Sequence, residues 1–121
     1  MAECILVGSG SQGKIPERTV LYFNNWEMPV SDTINLSHEI KDFDYIEVTV
    51  VRHVGNDYQP LQYWFDTATI STLINHDTIL NNMVIPFHGN DYVGYNLLSQ
   101  TQWQRTSGSN IYLARVVGIK Y

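Results

Sequence analysis

Two stretches of this 121-residue chain carry the same polar order. His53-Val54-Gly55-Asn56-Asp57-Tyr58 and His88-Gly89-Asn90-Asp91-Tyr92 each set a histidine ahead of Gly-Asn-Asp-Tyr. Gly-Asn-Asp is good turn chemistry, because Gly accepts left-handed backbone and Asn and Asp bond their own backbone. Turn-forming alone explains using it twice. The functional reading is a pair of loops that offer carboxylates and tyrosines to one ligand. Carboxylates accept hydrogen bonds from hydroxyls, and aromatic faces lie against apolar sugar faces. Together with Trp26 in the loop after the first body strand, the candidate ligand-binding set is Trp26, His53, Asp57, Tyr58, His88, Asp91 and Tyr92.

Other chemistries find less support. The four histidines, His38, His53, His76 and His88, show no HExxH or similar metal spacing, and polar loop histidines are the simpler reading. Cys4 is the single cysteine, which rules out an intrachain disulfide and a cysteine-based metal cluster. No GxSxG nucleophile turn occurs. Residues 8–13, GSGSQG, lack the Lys-Ser/Thr ending of a phosphate loop and read as a linker. Asp42, Asp44 and Glu47 are close in sequence, but Asp44 alternates away from Glu47, so no glycosidase pair is expected. The expectation is a protein that is not an enzyme, with no metal and no cofactor.

Composition narrows the partners. The formal charge is −5, and the seven Lys and Arg residues are scattered, which argues against nucleic acid as the main partner. No apolar run approaches the roughly 18 residues of a membrane span. Residues 1–9 lack the positive start of a signal peptide, so the product is expected to be made and kept, or assembled, in a cytoplasm. Eight Tyr, three Trp and four Phe beside only 16% charged residues suit β-structure with polar, uncharged loops.

The elements that must position these groups read as strands. Residues 43–54 give the longest alternation, with Ile46, Val48, Val50 and Val54 on one face and Phe43, Tyr45, Glu47, Thr49, Val51 and His53 on the other. The first face is apolar apart from Arg52 and should meet a core. Shorter strands are expected at 18–24, 32–37, 61–66, 78–87, 92–98, 101–106 and 110–119, with 67–77 left as a crossover. Leu21 and Phe23 should share a face, as should Ile111, Leu113, Arg115, Val117 and Ile119. Residues 1–14 read as a short amino-terminal segment and linker, and 15–121 as one domain. Eight short antiparallel strands imply an all-β sandwich, jelly-roll-like, with an immunoglobulin-like sandwich as the alternative. Strict alternation would gather the loops at 25–31, 55–59, 88–91 and 107–110 at one end, and those at 38–42, 67–77 and 99–100 at the other.

Two stretches carry a resemblance. TVLYFNN followed by DTINLSHEIKDFDYIEVTV, with Ile34-Asn35-Leu36-Ser37 and Tyr45-Ile46-Glu47-Val48 as matching residues, resembles phage and prophage tail-fibre, appendage and minor structural proteins. The closing NIYLARVVGIKY resembles the last strand of the same group. Together they span a little over a third of the chain, and they are strand patterns rather than catalytic signatures. The resemblance implies a small β-sandwich in a virion, often a homotrimer, which contacts other virion proteins and a host-surface receptor or glycan. A non-binding capsid decoration or tail adaptor protein is the alternative expectation. Phe43, Tyr45, Val51 and the Tyr112 face of the last strand are expected to leave apolar surface for such assembly.

Overall fold

The fold is that of a computed structural model that describes residues 15–27, 31–54, 57–74, 82–108 and 110–121. Among the described residues there are eight strands: β1 (Glu17–Phe23), β2 (Thr33–Asn35), β3 (Tyr45–Val54), β4 (Asp57–Asp66), β5 (Asn82–Pro86), β6 (Tyr92–Leu97), β7 (Gln102–Ser107) and β8 (Ile111–Lys120). One 3₁₀ turn, Ile40–Asp42, precedes β3, and one helix, α1 (Thr67–Ile74), follows β4. The strands form two antiparallel four-stranded sheets, ordered β1-β8-β3-β4 and β2-β7-β6-β5. This is an all-β sandwich. The first and last strands wrap as in a jelly roll, β1 on β8 and β2 on β7. Between them β3–β4 is a hairpin and β5–β6–β7 a meander.

The alternation read in residues 43–54 places Ile46, Val48 and Val50 in the core between the sheets, each fully buried. Ile34, Leu36, Met83, Ile85 and Phe87, each two residues from the next in its own stretch, join them, and Ile40 enters from the 3₁₀ turn. Trp103, Tyr95 and Leu97 fill the opposite sheet's inner face. The crossover at 67–74 is a helix. Its start is decided by Asp66, whose Oδ1 accepts the backbone N–H groups of Ala68 (2.8 Å) and Thr69 (3.2 Å). The Thr67 hydroxyl ties the same corner to the carbonyls of Phe43 and Asp44.

Two bulges overturn the simple alternation at the ends of the chain. Pairing between β8 and β3 runs Thr49 to Arg115 and then Val50 to Leu113, so Ala114 is an extra residue. Ile111, Leu113 and Val116 therefore face the core, and Val117 and Ile119 do not share their face. Likewise β1 shifts register between Val20 and Tyr22. Leu21 is buried and Tyr22 packs on the core, whereas Phe23 turns outward to meet Trp26. Phe43 is corrected too: it packs against the core, over Gly118, where an added Cβ would meet the Phe43 ring at 2.6 Å.

Val51 and Tyr112, expected to be exposed, are fully buried. They form a second small cluster with Ala114 on the outer face of the β1-β8-β3-β4 sheet, against which Trp26 packs. Exposed apolar surface on that sheet lies elsewhere, at Val20, Phe23, Tyr45, Trp64 and Tyr121.

Candidate ligand-binding site

The β5–β6 connection is a tight turn over residues 88–91. Phe87 N donates to Asp91 O (2.8 Å) and Asp91 N to His88 O (3.1 Å). Gly89 supplies the left-handed position with φ +64°. This is the turn that Gly-Asn-Asp predicts, and it holds Asn90, Asp91 and Tyr92 beside the carboxyl end of β3. There the Arg52 guanidinium pairs with Asp91 through Nη1, and its Nε donates to Gln59 Oε1 (3.4 Å). It lies over the Phe87 ring, 4.8 Å from the centroid. A planar cation held by a carboxylate, an amide and a ring face keeps one orientation.

Arg52, Asn90, Asp91, Tyr92, Gly108 and Ile111 line an open pocket of about 240 Å³. Its far wall is braced by Arg105, which donates to the carbonyls of Gly108 (2.9 Å) and Ile111 (2.7 Å) and pairs with Asp32 (3.1 Å). Gly108, with φ +109°, leaves space for Val93, which a Cβ there would meet at 2.9 Å. The pocket thus combines guanidinium and amide donors, a carboxylate acceptor and a half-exposed tyrosine.

Of the seven residues predicted from sequence, Asp91 and Tyr92 line this pocket. His88 is exposed next to it in sequence, and its ring packs edge-on against Phe87 at 4.7 Å. The β3–β4 hairpin pairs His53 with Tyr58 and Val54 with Asp57, but the side chains of His53, Asp57 and Tyr58 lie outside the described residues. Trp26 does not line this pocket. With Asn25 it adopts left-handed backbone (φ 59° and 67°) in a turn closed by Glu27 N on Asn24 O. Its carbonyl accepts the Tyr112 hydroxyl (2.8 Å), and it packs on the Val51–Tyr112–Ala114 cluster. Left-handed backbone disfavours a bulky residue, so these contacts, with the Asn24 side chain on Trp26 N and on Leu113 O, hold the turn in place.

The sequence reading did not assign Arg52. Its signal was present, since it is the one charge that follows Ile46, Val48 and Val50 on the face that packs into the core. A second charged group was also hidden. Glu47, on the outer face of β3, is buried and accepts from Arg18 (2.6 Å) and from Trp64 Nε1 (2.8 Å), with Arg115 at 3.9 Å. Among the described residues no group of three His, Cys, Asp or Glu side chains could hold a metal ion, and no helix is long and apolar enough to cross a membrane. Compared with known proteins, the chain matches no family model and no curated protein sequence.

Proposed function

We propose that the protein is a virion appendage domain, of tail-fibre type, that binds a host-surface receptor by holding one sugar ring in the Arg52–Asp91–Tyr92 pocket. The observation that carries the reading is the convergence of a fixed guanidinium, its carboxylate partner and an exposed tyrosine on one open pocket at a loop end of the sandwich. Vicinal hydroxyls match an Arg–Asp pair, each hydroxyl donating to the carboxylate or accepting from the guanidinium, while the tyrosine covers a C–H face. The volume falls below the ~300–1,000 Å³ of drug-sized pockets, which favours a single ring over a chain of sugars. The resemblance of the 19–25, 32–50 and 110–121 stretches to phage appendage proteins supports the location in a virion. A glycan array tests the reading: the protein is expected to retain a defined set of glycans that Arg52→Ala and Asp91→Ala both lose while melting normally. Binding untouched by both changes would refute it. The exposed aromatic side chains on the outer sheet favour a second reading, an adaptor or decoration protein whose partners are other virion proteins.

A further inference from the structure

The outer face of the β1-β8-β3-β4 sheet exposes Val20, Phe23, Tyr45, Trp64 and Tyr121, each between 36% and 56% accessible. Tyr45 contacts Trp64 and Tyr121 with centroids 5.8 and 6.2 Å apart, at ring angles of 43° and 85°. Rings so inclined make no flat shelf for a sugar. Trp, Tyr and Arg are instead the residues that dominate the energetics of protein interfaces.

The register across this sheet gives the face a handed charge order. One row reads Arg18, Ile119, Tyr45, Asp66 from β1 to β4, and the neighbouring row reads Val20, Val117, Glu47, Trp64. The first row begins with a cation and ends with a carboxylate; the second begins and ends with exposed apolar groups. We propose that this face docks a second copy of the chain about a two-fold axis that runs along the strands between β8 and β3. That axis exchanges β1 with β4 and β8 with β3. Each Arg18 then lies over the partner's Asp66, and each Val20 over the partner's Trp64, so both rows are self-complementary as an isologous contact requires.

Both side chains are engaged within the chain but keep hydrogen-bonding atoms for a partner. Arg18 reaches Glu47 through Nη2, and its other guanidinium nitrogens have no partner among the described residues. Asp66 caps α1 through Oδ1, and its Oδ2 has no partner among the described residues. Four strands about 4.8 Å apart and seven residues at about 3.4 Å rise give a face of roughly 19 by 24 Å. That lies below the ~800 Å² per partner of a standard interface, so the association is expected in the micromolar range or weaker. Because the axis follows the strands, both copies run in the same direction and present their Arg52 pockets at the same end. The pairing itself is independent of what that pocket binds.

Sedimentation equilibrium from micromolar to near-millimolar protein tests it, with no glycan present. The wild type is expected to shift with concentration towards twice the chain mass. Arg18→Glu and Asp66→Arg, separately, are expected to weaken self-association by at least ~10-fold, because each sets like charges opposite one another. Mixing the two variants restores it, since the glutamate of one meets the arginine of the other and the native pair re-forms on the second side. Val20→Glu, at an exposed position away from the Glu47 cluster's hydrogen bonds, gives a monomer with an unchanged melting temperature and guards against misfolding of the charge variants. A wild type that stays monomeric, a trimer, or variants that pair as well alone as when mixed would each overturn the proposal.

Discussion

Replacing Tyr95 by phenylalanine removes one oxygen from the centre of the sandwich. Tyr95 is 1% exposed, and its hydroxyl accepts the backbone N–H of Leu113 (3.0 Å) from the facing sheet, next to the Ala114 bulge. Without the oxygen that buried N–H loses its acceptor, a cost of about 1–3 kcal/mol. The same group makes stability depend on pH. Burial pushes the Tyr95 pKa up from 10.0 to about 12, against the smaller opposing effect of the Leu113 hydrogen bond. A folded pKa above the unfolded one means that the unfolded chain loses the proton first. The stability associated with the neutral hydroxyl is therefore complete below pH 10 and is lost as pH rises to 12. One pKa unit corresponds to ~1.4 kcal/mol, so the loss is about 1.4 kcal/mol at pH 11 and approaches ~2.7 kcal/mol above pH 12. Tyr95→Phe has no such proton, and the remaining titrating groups are common to both proteins. Urea unfolding of the pair at pH 8, 10, 11 and 12 is expected to show the wild type ahead by about 1–3 kcal/mol at pH 8, with the gap closing above pH 10. A gap that is constant across this range, or that widens, would refute the reasoning.

Val48→Asp puts an unpaired carboxylate among fully buried side chains and should cost several kcal/mol, out of a typical ~5–15; soluble protein with an unchanged melt would show that Val48 faces outward. Gly118→Ala drives a methyl into the Phe43 ring, at 2.6–2.8 Å from its nearest atoms, and is expected to destabilise by about 1–3 kcal/mol in thermal or urea melts. Asp66→Ala removes the cap of α1 and should cost about 1 kcal/mol, with the loss of helical signal confined to this short element.

Much of the sandwich is legible in local pattern. A pleated strand sends alternate side chains to opposite faces, so Ile46, Val48 and Val50, or Met83, Ile85 and Phe87, declare their burial by spacing alone. The turn at 88–91 is equally local, because Gly89 takes the left-handed backbone that the turn demands. Within the candidate site, this legibility extended to Asp91 and Tyr92 and stopped there.

What the sequence did not reveal depends on neighbours distant in the chain. A bulge is a count of residues against a partner strand, so Ala114 and Leu21 become extra only once β8 meets β3 and β1 meets β8. Each such insertion reverses the face of everything after it, which is why Val117, Ile119 and Phe23 point away from where alternation sends them. Trp26 reads as an exposed loop aromatic until Tyr112, 86 residues later, gives its carbonyl a hydroxyl and its ring a surface. Arg52 reads as an oddity on an apolar face until the β5–β6 turn brings Asp91 to it across 39 residues. Periodicity is a property of one strand in isolation. Register, capping of freed backbone groups and pairing of charges are properties of two strands in contact, and only the folded sandwich decides them.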